Sequence, residues 1–299
     1  MFGHRWLWRI VSAAALIIVI VGVSVSLSSE QIVFGQEDGL SPTEKLGKHI
    51  FFDTMLSTPP GQSCATCHDP QVGWTGPDSN INATDAIYPG VVHNRFGNRK
   101  PPTAAYGGES PVLFFDEEEG LWIGGMFWDG RATGEILGDP LAEQAMGPFL
   151  NTVEQKTPNP KLVCIRIRDG DYASLFEEAW GAGSLDCVKD VDGTYERIAR
   201  SIAAFERSTE VNPFTSKYDY YLKGEAELTP QEAWGLELFE DEDKAMCSAC
   251  HLSSGDADEP PLFTDFTFDN LGVPRNPENP FYTMPPAWNP DGEDWIDPG

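Results

Sequence analysis

Two pentapeptides carry the residue types and the spacing of one recognisable chemistry. Cys64-Ala65-Thr66-Cys67-His68 and Cys247-Ser248-Ala249-Cys250-His251 each set two thiols three positions apart, with an imidazole directly after. Two thiols on one helical turn reach the two vinyl groups of a haem and form thioethers. The next residue places an imidazole beneath the iron as proximal ligand. Six Cys and five His scattered through 299 residues would give about 0.002 copies of this pattern by chance, so two copies are not coincidence. A zinc ribbon needs its cysteine pairs much closer than Cys67 and Cys247 stand, and a thioredoxin-like pair does not need His after both motifs. The spacing predicts two covalently bound haem c groups, with His68 and His251 as iron ligands.

Few other imidazoles remain. His4 lies at the N-terminus, which leaves His49 and His93 as a sixth ligand or a proton carrier. His49, between Leu46 and Ile50, reads as a partly exposed helix residue. His93 lies on a loop 25 positions after His68, from which a side chain can swing to the first haem; the alternative is a surface histidine. Cys164 and Cys187 either close a disulfide across a helical hairpin or are two buried free thiols.

The elements that position these residues come as a repeat. Ser41-Pro42-Thr43-Glu44 through Phe51 matches Thr229-Pro230-Gln231-Glu232 through Phe239 at a constant offset of 188. Each copy opens with a Ser/Thr N-cap, Pro at the first helical position and Glu two residues later, which is a capping box. Each helix then leads to a haem motif. With 299 residues and roughly 150 per domain, the repeat predicts two domains, 38–190 and 191–299, one haem in each. Ile198, Ile202 and Phe205 make Tyr195 to Ser208 an amphipathic helix, and Tyr172 to Trp180 reads as a short one. No run alternates convincingly as a strand. Pro- and Gly-rich stretches at 85–126 and 252–299 read as long ordered loops, with Asp116 to Glu119 a solvated loop face. The expected fold is mostly α.

Arg5 and Arg9 precede an apolar run, Ile10 to Leu27, so residues 1–30 read as an export signal or as a retained membrane anchor. Either reading places the rest outside the cytoplasm, periplasmic or held at the outer face of the membrane by residues 10–27. The balance of 20 Lys+Arg against 47 Asp+Glu, a net charge of −27, argues against nucleic acid and favours a basic partner.

Beyond the haem motifs, an ordered set of segments resembles the bacterial dihaem cytochrome c peroxidases, a family that includes the maturase of the methylamine dehydrogenase cofactor. The set runs from Leu46-Gly47 and Phe51-Phe52-Asp53 through Phe127-Trp128-Asp129-Gly130-Arg131 to Glu143-Gln144-Ala145, Pro148 and Glu154. It continues with Ile202-Ala203-Ala204-Phe205-Glu206 and Asn270-Leu271-Gly272-Val273-Pro274. The resemblance implies two cytochrome c-like haem domains, the first haem reacting with hydrogen peroxide. The second would take electrons from a small c-type cytochrome or cupredoxin. It implies that His93 is a distal ligand that leaves the iron on activation, that Gln144 and Glu154 form the distal pocket, and that Trp128 lies between the haems. A carboxylate such as Glu154 in a desolvated pocket suits the acid–base work that peroxide reduction needs, and Gln144 can orient peroxide or water.

The chain also departs from the family pattern. Where relatives carry Arg-Asn-x-Pro, this sequence reads Arg99-Lys100-Pro101-Pro102. The Asn helps bind an interdomain calcium, which an ammonium cannot do, so calcium is placed in doubt. Family members continue to a segment carrying the second haem's sixth ligand, so the C-terminal part reads as truncated; Tyr282 and Met284 read as loop residues. Two rivals stand beside a peroxidase. One is a dihaem electron-transfer cytochrome; the other is a maturase-like enzyme that oxidises residues of a partner protein. A homodimer is left open.

Overall fold

A computed structural model describes residues 39–255 and 259–296. The 1–30 segment, with its 10–27 apolar run, lies outside the described residues. Among those described, no helix is long and apolar enough to cross a membrane. In chain order the elements are α1 (Pro42–Phe52), α2 (Ser79–Asn82), β1 (Phe114–Asp116), β2 (Leu121–Ile123) and α3 (Pro140–Leu150). Then follow α4 (Pro160–Arg168), α5 (Ala173–Trp180), α6 (Val191–Glu206), α7 (Lys217–Leu222) and α8 (Pro230–Glu240), with short 3-10 turns between.

The core is the crossing of α1 and α6. Leu46, Ile50 and Phe51 of the first meet Ile198, Ile202 and Phe205 of the second, all nearly inaccessible to solvent. Gly47 permits the close approach, because a Cβ there would stand 1.8 Å from the Ser201 carbonyl oxygen. Phe51, Phe205 and Trp74 meet edge to face at 5.5–5.8 Å, a geometry favoured by the ring quadrupoles. Val163 and Ile167 of α4 and Phe176 of α5 close one side, and Ala145 and Phe149 of α3 another.

Local capping explains most boundaries. In α1 the Ser41 hydroxyl accepts from the Glu44 N–H while the Glu44 carboxylate accepts from the Ser41 N–H at 2.6 Å. In α8, Thr229 and Glu232 repeat this at 2.7 Å, so the two sequence copies are two equivalent 11-residue helices. The helix expected at Tyr195–Ser208 is α6; it begins at Val191 because the Asp190 side chain caps it. The one expected at Tyr172–Trp180 is α5. Cys164 of α4 is bonded to Cys187, with Cα atoms 5.6 Å apart, which settles the disulfide against free thiols.

One expectation is corrected. The 85–126 stretch is not all loop, since β1 and β2 pair antiparallel with Phe115 opposite Trp122. Strands of three residues are too short for period-two alternation to register. The acidic run forms their turn, where Asp116 accepts from the Glu118 and Glu119 N–H groups and Glu117 to Glu119 face solvent.

Candidate haem sites

The first motif faces a cavity, open to solvent at its mouth, between α3, α6 and the 88–104 loop. Cys64, Cys67 and His68 line it, together with Trp128, Gln144 and Glu154. The motif itself is a tight turn: the Cys67 and His68 N–H groups both donate to the Cys64 carbonyl, at 3.1 and 2.9 Å. This puts two sulfurs and one imidazole on a single turn. The His68 Nδ1 lies 3.2 Å from the Trp74 carbonyl oxygen. A carbonyl only accepts, so Nδ1 carries the proton and Nε2 keeps its lone pair for a metal. Burial pulls this imidazole below its usual pKa and so favours the neutral, ligating form, with the Trp74 and Pro102 carbonyls opposing.

The sulfurs fit thioether formation better than a thiolate metal site. Burial above all, then the Glu206 charge, holds the Cys64 thiol well above its ordinary value; burial and Glu154 push Cys67 up to about 12. Neutral thiols in an apolar wall are poor zinc ligands. Each sulfur meets one amide, Gln155 Nε2 at 3.8 Å from Cys64 Sγ and Gln62 Nε2 at 3.9 Å from Cys67 Sγ. Neither glutamine stands out in the sequence, since one follows Glu154 directly and the other precedes the motif by two. The cavity is large, mostly apolar and rimmed by Arg99, Lys100 and Arg131, which suits a flat macrocycle with acidic side groups.

The site residues named from the resemblance are held as follows. Glu154 follows α3 on a short loop; Asn151 Nδ2 donates to its Oε1 at 2.8 Å. Burial raises its carboxyl pKa above the usual range, with the Arg131 charge and the Asn151 hydrogen bond opposing. Gln144 sits on α3 beside Glu143, whose carboxylate accepts from the Gly134, Ile136 and Leu137 N–H groups at 2.7–2.9 Å. The Glu-Gln pair thus anchors a loop with one residue and faces the cavity with the next. Trp128 lines the cavity but is 48% exposed, and its Nε1 donates to the Lys100 carbonyl at 2.9 Å. Lys100 is exposed beside it. Asp129 bridges Arg99 and Arg131, each at 2.8 Å. Burial pushes its carboxyl up, but these two guanidiniums outweigh that and hold it below the usual range.

His93 is not brought to the cavity wall; it is exposed on the 89–96 loop. That loop is stitched to the Glu154 loop by the Val91 N–H on the Glu154 carbonyl at 2.9 Å and by Arg95 on the Thr152 carbonyl at 3.2 Å. His49 stacks on Tyr172 at 5.4 Å, away from the cavity.

The second motif repeats the first locally. The Cys250 and His251 N–H groups donate to the Cys247 carbonyl at 3.3 and 2.9 Å, and His251 Nδ1 lies 2.9 Å from the Phe263 carbonyl oxygen. Nε2 is again left for a metal. Unlike the first, His251 is exposed, and α8 buries no residue. Tyr282 and Met284 are packed, Tyr282 lying under the Arg275 guanidinium at 3.6 Å.

Residues 41–227 match the family model described as di-haem cytochrome c peroxidase. The chain is 38% identical over 234 residues to the methylamine utilization protein MauG of Paracoccus denitrificans, covering 77% of this chain and 57% of that protein. It is 34% identical over 209 residues to the cytochrome c551 peroxidase of Pseudomonas aeruginosa, 69% of this chain and 49% of that one. Its fold is similar to the crystal structure of the diheme peroxidase BthA from Burkholderia thailandensis. The TM-score is 0.69 at 31% identity, over 81% of this chain and 59% of that one. The chain therefore spans roughly half to three fifths the length of these relatives. On the matched residues, and on a cavity that gathers Cys64, Cys67, His68, Gln144 and Glu154, the chain belongs to the di-haem cytochrome c peroxidase family.

Proposed function

We propose that the protein reduces hydrogen peroxide to water at the Cys64–His68 cavity, with electrons entering through the Cys247–His251 motif from a small basic redox protein. The observation that carries this reading is Glu154, a carboxyl with a raised pKa in the same cavity wall as the first motif. Cys64, Cys67 and His68 would hold one haem and Cys247, Cys250 and His251 the other. Bound there, the two groups supply an iron that takes peroxide and a relay for its two electrons. The remaining work belongs to the side chains. Burial favours the protonated form of Glu154, the form that would hold the proton the leaving oxygen needs, and Asn151 fixes its orientation. Gln144 offers an amide to orient peroxide or water. His93, on a loop tied to the Glu154 loop, is the imidazole that would be available to the first haem. Each haem motif, with its capped helix, anchors one cytochrome c-like domain, and the apolar N-terminal run directs the chain to the periplasm. Calcium has no support from Lys100.

Peroxide consumption with a reduced basic cytochrome c as donor, per mole of covalent haem, tests the reading. Turnover should fall by about 10²–10⁴-fold in Glu154→Gln, the usual worth of a positioned acid–base group. Absence of peroxide turnover in a protein whose haems reduce reversibly would leave electron transfer or oxidation of a partner protein as its role.

Partner-protein oxidation is a second reading, and the half-exposed Trp128 favours it by giving the cavity wall an aromatic outlet to the surface. In that case peroxide is consumed only when an oxidisable protein is present, and Trp128→Phe slows that reaction.

A further inference from the structure

The cavity wall holds a second carboxyl that peroxide chemistry as described does not use. Glu206, the last residue of α6, is 5% exposed and lines the same cavity. Its Oε2 meets no hydrogen-bond partner. It stands close enough to Cys64 for its charge to raise that thiol's pKa.

The surrounding charges leave it uncompensated. Arg207, the adjacent cation, turns away to grip Asp139 with Nη1 and Nη2 at 2.9 and 2.8 Å, and the Gly108 carbonyl with Nε at 3.0 Å. Asp139 itself adds a like charge. Across the cavity, Arg99 and Arg131 are both held on Asp129, Lys100 is exposed, and Glu154 is a second acid. His68 shares the wall. Asn212 meets Glu206 only at its main-chain carbonyl, its other hydrogen bonds going to the Ser208 carbonyl and the Tyr106 N–H. Burial pushes the Glu206 carboxyl up to about 8, with Arg207 opposing and Asp139 adding to it.

We propose that Glu206 is the proton acceptor coupled to reduction of the group bound at Cys64, Cys67 and His68. The inference rests on the haem reading of that cavity. An electron delivered there takes iron from +3 to +2, and one proton from solvent adds to the Glu206 carboxylate to give the acid. The charge of the cavity is then unchanged. The physical reason is dielectric: an added negative charge in a buried site is costly, and an unpaired carboxylate in the same wall is where a proton relieves it most. The oxidised iron favours the ionised carboxylate and the reduced iron the neutral acid, so the midpoint potential depends on pH between those two pKa values.

The test is a spectroelectrochemical titration of the haem-loaded protein at a series of pH values around 8. The potential of the first haem should fall as pH rises, approaching one proton per electron. The slope should vanish in Glu206→Gln and persist in Glu154→Gln. Equal slopes in wild type and Glu206→Gln would overturn the proposal. Should that variant fail to take up haem, redox-difference infrared spectra of wild type and Glu154→Gln decide instead. A protonated carboxyl band gained on reduction in both supports the assignment, and its absence overturns it. A protein lacking covalent haem on Cys64 and Cys67 overturns the cavity reading itself. A haem there whose potential ignores pH overturns only this inference.

Discussion

Single side chains here tend to serve two partners. Asp139 is the clearest case: its carboxylate caps α3, accepting from the Leu141 and Ala142 N–H groups, and also takes Arg207 at the end of α6. One residue thus ties the helix bearing Gln144 to the helix bearing Glu206. Burial pushes the Asp139 carboxyl up, but the Arg207 hydrogen bond and charge, with the capping N–H groups, outweigh it and hold the pKa below 3.8. The sign follows directly. A depressed carboxyl contributes stability that is present above its unfolded value and is lost as pH falls through the folded one. Asp139→Ala should therefore cost about 2 kcal/mol near neutrality, a lost cap plus a lost charged hydrogen bond. In urea titrations the gap between variant and wild type should close as the solution is taken below about pH 3.8, the ordinary value for this group.

At the scale of elements, the α1–α6 crossing positions the first motif. The approach at Gly47 is so close that any side chain would collide with the Ser201 carbonyl and the Phe205 Cβ. Since these are backbone and core atoms, relaxation is costly. Gly47→Ala should destabilise by about 3 kcal/mol, the upper end of ordinary overpacking, measured as a lower denaturation midpoint at unchanged slope. The equivalent Gly235 of α8 meets nothing within 4 Å, so Gly235→Ala should be neutral or slightly stabilising, by at most about 1 kcal/mol. The contrast separates packing from helix propensity within one repeated sequence.

For the whole molecule, the excess of acid dominates. A net charge of −27 attracts a basic protein over a distance set by the ionic strength. With a basic cytochrome c as donor, the second-order rate of electron delivery should fall about tenfold or more between roughly 20 and 200 mM salt. With a small neutral dye as donor it should stay nearly flat. Equal salt dependence for both would remove electrostatic steering from the account.

The haem motifs, the capped repeat, the helix at the centre of the core and the family were all legible in the amino-acid sequence. Each is local: a C-x-x-C-H turn, a capping box and an apolar period are complete within a dozen residues. The disulfide was left open between Cys164 and Cys187, and only the tertiary structure brought their Cα atoms to 5.6 Å. The hairpin was missed because three-residue strands carry no period. Gln62 stands two positions before Cys64 but belongs to no pattern, while Gln155, which meets the Cys64 sulfur, and Glu206, which faces the cavity, come from segments remote from the motif. Sequence spacing carries no record of their shared wall. Folding decided what these residues do, because burial, the turning of Arg207 toward Asp139 and the dielectric of the cavity exist only once α3 and α6 have packed.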